Sequence, residues 1–188
     1  MDSNISLTNH FLIAMPSLAD PNFTHTVTYI CEHNAEGAMG VVINRPMGIS
    51  LAEILPQLKI EAAMEIDPAL IPLYEGGPVQ REHGFVLHRP PGEWRSSLGI
   101  TKAVTLTTSQ DILSAIAHGR GPDAYLIALG YAGWGPGQLE EEIAQNSWLS
   151  GPADPAILFD LPDASRWQAA AAALGVDLNL LSSEIGHA

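Results

Sequence analysis

The run Tyr125-Leu126-Ile127-Ala128-Leu129-Gly130-Tyr131-Ala132-Gly133-Trp134-Gly135-Pro136-Gly137-Gln138 decides how the chain is organised. Its first five residues are almost continuously apolar, which suits a central strand covered on both faces. The glycines from Gly130 to Gly137 predict a loop, and a helix is expected from about residue 138 to 146. Glu140, Glu141 and Glu142 fall in the first turns of that helix, where carboxylates favour the positive end of the dipole.

Working outward, residues 11–15 form a short apolar run stopped by Pro16 and read as a buried strand. Residues 26–33 are rich in β-branched and aromatic side chains, and 39–44 follow after the turn Asn34-Ala35-Glu36-Gly37, so these two strands form a hairpin. Ser50-Leu51-Ala52-Glu53 fits a capping box, and a short helix ending near Pro56 should follow. Further strands are expected at 71–74, 84–88, 103–107 and 156–159. Helices are expected from Ser109 to His118, stopped by Gly119, and from Trp167 to Leu174, ended by Gly175. Hairpins interspersed with helices predict an α+β fold, a mixed sheet with helices packed around it.

A chain of 188 residues is one domain by size, here spanning 1–188. Hydrophobic residues at 46% and charged ones at 15% exclude intrinsic disorder, which needs few core formers and dense charge. The 8 basic and 21 acidic residues leave a net charge of −13, which repels the phosphate backbone and disfavours direct nucleic-acid binding. The single cysteine, Cys31, has no partner for an intramolecular disulfide. No basic leader opens the chain, and its apolar runs fall far below the ~20 residues of a membrane span. A soluble, cytoplasmic protein without a membrane partner is the expectation.

Several residues are candidates for a site. Gly40-Val41-Val42-Ile43-Asn44-Arg45-Pro46 and Gly84-Phe85-Val86-Leu87-His88-Arg89-Pro90 share one pattern, a strand entered through Gly and halted at Pro. It would present Arg45 and Arg89 at strand ends toward an anion, or it is ordinary strand-ending chemistry. The glycines around Gly133, Trp134 and Gly135 stand where backbone N–H groups can cradle phosphate, between strand and helix. The phosphate-loop lysine is missing, however, and Gln138 stands where a dinucleotide fingerprint wants its third Gly. These glycines then serve a tight turn packed by Tyr131 or Trp134, or they offer Trp134 as a contact for a partner. Glu32 and Asn44 complete the list of ligand- or partner-binding candidates. Cys31 and His33, two apart in a strand, share a face and could form a thiolate–imidazole pair; a buried hydrophobe is the commoner role of such a cysteine. No metal-ligand spacing and no serine nucleophile elbow occurs, so no metal, cofactor or catalytic residue is assigned.

These segments also carry a resemblance. Phe11 to Leu18, Asp20-Pro21-Asn22-Phe23, Glu32 to Gly40 leading into Asn44-Arg45-Pro46, Gly76-Gly77-Pro78-Val79 and Gly84 to His88 are similar to the AlgH/YqgE family (UPF0301, DUF179). The most specific segment is Leu129 to Glu140, followed by Glu142-Ile143 and Asn146-Ser147-Trp148-Leu149. The resemblance implies a bacterial protein with a bifurcated mixed sheet in a single α+β domain. It transfers no catalytic residue. Some members carry the label of transcriptional regulator through a genetic link to alginate production.

The leading expectation is therefore a non-catalytic domain that binds a small ligand or a protein partner, with an indirect regulatory role. An enzyme acting on an anionic small molecule, held by Arg45, Arg89 or the glycine loop, is the alternative. Direct transcriptional regulation, the third reading, conflicts with the charge.

Overall fold

The computed structural model describes residues 5–185. Within them a ten-stranded sheet runs in the order β10-β1-β2-β3-β9-β6-β8-β7, with β4 and β5 branching from it. The strands are β1 (His10–Ala14), β2 (Val27–Asn34), β3 (Gly37–Val42), β4 (Pro46–Ser50), β5 (Pro72–Glu75), β6 (Val79–Arg89), β7 (Ser97–Gly99), β8 (Thr105–Thr107), β9 (Ala124–Trp134) and β10 (Trp148–Pro152). The helices are α1 (Leu51–Ile54), α2 (Gln110–Ala117), α3 (Gln138–Ala144), α4 (Pro155–Phe159), α5 (Asp163–Ala172) and α6 (Leu178–Ile185). The α+β class with helices around a mixed sheet is thus observed, and β2 and β3 form the expected hairpin.

Strand β9 is the trunk of the sheet. Along its first half it pairs parallel with β5, through Leu73↔Ile127, Tyr74↔Ala128 and Glu75↔Leu129. Beyond Gly130 the antiparallel β3 takes over, through Gly40↔Ala132, Met39↔Gly133 and Ala38↔Trp134. The handover passes through Gly76, whose N–H donates to the Leu129 carbonyl at 2.8 Å while its own carbonyl accepts from Val42 N–H at 2.8 Å. The sheet forks here because two backbones cross with no room for side chains. A Cβ on Gly77 would lie 2.1 Å from the Tyr131 carbonyl carbon, and one on Gly130, at φ +80°, would lie 2.4 Å from the Gly77 oxygen.

This geometry corrects the expected loop. Residues Gly130 to Trp134 are strand, and the turn into α3 is left to Gly135-Pro136-Gly137, with Gly137 at φ +75°. Residues 156–159, expected as a strand, are instead helical. Asp154 Oδ1 accepts from Ala156 N–H at 2.9 Å and Pro155 occupies the first turn, a start signal that outweighs the short apolar run. Strands β4, β7 and β10 and helix α6 lie outside the elements expected from the sequence. The capping box at Ser50 is present, with Glu53 accepting from Ser50 N–H at 2.7 Å. Gly119 (φ +73°) follows the end of α2.

Alternation along the strands divides the core between the two faces of the sheet. Phe11 and Ile13 of β1 pack with Tyr29, Leu87 and Leu126 beneath α4 and α5. Leu12 and Ala14 turn the other way, to Ile30, Ala132, Trp148 and Leu139 of α3. A third cluster lies beneath α1 and α2, with Leu51, Leu73, Val86, Ile112, Ile116 and Ile127. No helix among the described residues is long and apolar enough to cross a membrane.

Candidate functional site

A large concavity sits above that third cluster. A groove of about 660 Å³ opens between α1 and its following turn on one side and α2 on the other, over the sheet. Its apolar surfaces come from Ile49, Ile54 and Leu58, and from Val86, Leu113 and Leu129. Gly84 in its floor has no side chain, and a Cβ there would meet only Leu113 Cδ1, at 3.8 Å, so the missing side chain leaves open space. Gln57, Thr108, Ser109 and Gln110 supply polar groups at the sides.

The rim is built by an irregularity in β6. Val79 pairs with Tyr131 and Gly84 with Leu129, so five residue steps on β6 face two on β9. The excess bends outward as a large bulge, entered through Gln80 in the left-handed region at φ +50°. It carries Arg81, Glu82 and His83 to the groove mouth, all exposed. Starting the strand at Gly84 misses this ladder, although a glycine inside a strand pattern is itself a bulge signal.

Two carboxylates flanking the groove are already engaged. The hydroxyl and backbone N–H of Ser50 hold the Glu53 carboxyl below the usual range. Burial pushes the Asp111 carboxyl up, but hydrogen bonds from the Ser109 hydroxyl and the N–H groups of Arg95 and Ile112 outweigh it and hold it low. Arg81, Glu82, Gln57 and Gln110, by contrast, make no side-chain hydrogen bond or ion pair among the described residues.

The residues singled out from sequence lie elsewhere. Arg45 donates from Nη1 to the carbonyls of Pro21 and Asn22, at 3.1 and 2.7 Å, and from Nη2 to that of Thr24 at 3.1 Å. Asn44 works on the same loop, accepting from Val27 N–H and donating to the His25 carbonyl, each at 2.9 Å. Arg89 engages other residues, with its cation 5.3 Å from the Phe159 ring and 3.7 Å from Asp160. Glu32 and Trp134 line one shallow concavity of about 220 Å³, together with Glu36 and Met39. Gly133 faces Met39 across the β3–β9 ladder, and Gly135 N–H donates to Gln138 Oε1 at 3.0 Å. Trp134 itself is only 6% exposed, and its indole N–H donates to Glu142, so its ring packs in the core and offers little surface to a partner.

Cys31 and His33, expected to share a face of β2, do not, and the cysteine takes the commoner role of a buried hydrophobe. A bulge between Ile30 and Glu32 shifts the alternation of β2. Cys31 lies in the core with Phe11 and Ile13, where burial pushes its thiol up, away from the reactive thiolate. His33 points to the α3 side, where it contacts Glu140. That glutamate is held low by its own backbone N–H and by His33.

Comparison with known proteins places these features in one family. The family model described as AlgH-like (DUF179) matches residues 11–179. A UPF0301 protein of Thioalkalivibrio sulfidiphilus is 57% identical over 188 residues, covering all of both chains. The UPF0301 protein AlgH of Pseudomonas aeruginosa is 57% identical over 182 residues, covering 97% of this chain and 96% of its own. The solution structure of AlgH from Pseudomonas aeruginosa superposes with a TM-score of 0.81 at 56% identity, over 97% of this chain and 96% of that one. A crystal structure from Corynebacterium diphtheriae shares the fold, with a TM-score of 0.74 at 20% identity over 97% of this chain and 94% of that one. Sequence and fold together make this chain a member of the AlgH-like family.

Proposed function

We propose that this chain is a non-catalytic binding domain and that its ligand site is the groove between α1, α2 and the β6 excursion. One observation carries the reading: an open concavity of about 660 Å³ joins an apolar floor to rim side chains, Gln57, Arg81, Glu82 and Gln110, that make no hydrogen bond or ion pair among the described residues. Ligand pockets fall at roughly 300–1,000 Å³ and combine an apolar lining with a few orienting polar groups. The chemistry of the candidate nucleophile points the same way, since the Cys31 thiol is buried and kept protonated. An indirect regulatory role in the cytoplasm, exerted through what the groove binds, fits the net charge of −13 better than direct contact with DNA.

The test fills the groove. A Gly84→Val variant that keeps its fold should lose the thermal stabilisation caused by any groove ligand found in a metabolite and peptide screen. Stabilisation that survives in this variant would remove the groove from consideration.

A second reading, an enzyme acting on an anionic small molecule, keeps one specific support. Arg89 and Lys102 line a common open concavity of about 300 Å³. Asp123 lines it too, and Asp160 lies against Arg89, so an anion there would meet competing carboxylates. An Arg89→Ala/Lys102→Ala variant that turns over or binds anionic metabolites as the parent does would end this reading.

A further inference from the structure

We infer that Ser97 is an acceptor of acyl groups from activated esters, its hydroxyl proton drawn inward through Thr107 to the imidazole of His88. This goes beyond the binding reading. The serine does not line the groove, and it is modified by the ester without turnover.

Register brings the two hydroxyls together. Thr108 N–H donates to the Ser96 carbonyl at 2.9 Å, and Ile100 N–H donates to that of Val104 at 3.0 Å. Between them the pairs run Ser97↔Thr107, Leu98↔Leu106 and Gly99↔Thr105 without a shift. Bonded and non-bonded pairs alternate in an antiparallel ladder, so Ser97 and Thr107 form a non-bonded pair, the kind whose side chains lie closer. Their hydroxyl oxygens are 2.8 Å apart. The same alternation turns the Ser97 N–H away from β8, toward the edge at which the sheet ends.

The direction of the protons follows from one acceptor. His88 is fully buried, with Nδ1 3.0 Å from the Pro90 carbonyl and Nε2 2.7 Å from Thr107 Oγ1. A carbonyl only accepts, so Nδ1 carries the proton. Burial holds the imidazole below its usual range despite that bond, so near neutral pH Nε2 is a bare acceptor. Thr107 then donates to His88 and, with its own proton committed, accepts from Ser97. Ser97 is exposed, so its oxygen keeps lone pairs open to solvent while its proton lies on a path to a base.

That polarity suits attack on a carbonyl carbon. Ser97 Oγ bonds to the acyl carbon, its proton passes to Thr107 as the Thr107 proton passes to His88 Nε2, and the ester C–O bond breaks. The leaving oxygen keeps the bonding pair and then takes the proton from the imidazolium. An ester and a serine thus become a seryl ester and an alcohol. The Ser97 N–H at the free edge can donate to the acyl oxygen as charge gathers there. Phosphoryl transfer leans on cations instead, and among the described residues no arginine or lysine side chain is bonded to Ser97 or Thr107.

The test treats the folded full chain with p-nitrophenyl acetate near neutral pH and follows acetylation by peptide mass spectrometry. Ser96 is the internal control, exposed beside Ser97 and with no hydrogen bond from its hydroxyl among the described residues. We expect Ser97 to acetylate at least about tenfold faster than Ser96, within what general-base assistance supplies. Thr107→Val, which keeps the shape and removes the hydroxyl, should bring Ser97 down to the Ser96 rate. Thr107→Ser, which keeps the hydroxyl, should stay fast.

Equal rates at Ser96 and Ser97 in the parent chain would overturn the inference, and this comparison decides even where the valine variant does not fold. A folded Thr107→Val that acetylates at Ser97 as fast as the parent would overturn it too. So would a Thr107→Ser as slow as the valine variant, because the hydroxyl would then not be what matters.

Discussion

Trp134 and Trp148 donate their indole N–H groups to the same oxygen, Oε1 of Glu142, at 3.1 and 3.0 Å. The two rings meet edge to face, with centroids 6.2 Å apart, and Phe23 packs against both. One carboxylate on α3 therefore ties the end of β9 to the edge strand β10. Replacing Glu142 with Leu orphans two largely buried donors, so unfolding free energy should drop by about 2–4 kcal/mol. Urea denaturation followed by tryptophan fluorescence measures it; Glu142→Gln, which keeps one acceptor, should lose less. A loss below that of an ordinary surface substitution would show that the shared carboxylate is dispensable.

The crossing at the sheet fork separates two glycines that look alike in sequence. Gly130 and Gly137 have φ of +80° and +75°, but only Gly130 has a backbone atom where a Cβ would go. Gly137→Ala should cost only the left-handed backbone term, about 1–2 kcal/mol. Gly130→Ala must displace the Gly77 backbone as well, and should give insoluble or molten protein. Comparable melting temperatures for the two variants would contradict the crossing.

At the N-terminal side, Leu7 N–H donates to His33 Nδ1 at 2.9 Å, so the ring proton sits on Nε2, facing Glu140. Nitrogen-15 shifts of the ring should report that tautomer near neutral pH; a protonated Nδ1 would refute the arrangement. The Glu140 carboxyl is held low, first by its own N–H and then by His33. A depressed folded pKa contributes stability above the unfolded value, near about 4.3, and the contribution is lost as pH falls through the folded value. Glu140→Gln should flatten this acid limb of a melting-temperature profile and slightly lower the plateau above it. The effect is small, because the Glu140 side chain is 51% exposed and screened.

Arg45 holds three carbonyls of the loop between β1 and β2. Arg45→Lys keeps the charge but cannot span these acceptors, so amides near residues 20–26 should exchange faster and stability should fall by about 1–3 kcal/mol. Hydrogen exchange that is unchanged in this loop would show that the guanidinium does not hold it.

Features made by residues close in the chain were legible from sequence. The Ser50 capping box, the hairpin across Asn34 to Gly37 and the stop at Gly119 each depend on partners a few residues away, and the buried strand within Tyr125 to Leu129 announces itself by its own apolar run. The family followed from segments spread along almost the whole chain. The candidate groove did not. Arg81, Glu82 and His83 become its rim only because β6 bulges against β9, and Gly84 becomes its floor only because Leu113 packs opposite. Likewise Arg45 and Trp134 resemble ligand-binding side chains until the fold brings them the Pro21, Asn22 and Thr24 carbonyls and the Glu142 carboxylate. Local periodicity and turn chemistry thus set the elements by themselves. Which polar groups are spent and which stay open was decided by long-range pairing, because a hydrogen-bonding group in sequence carries no sign of the partner that folding will supply.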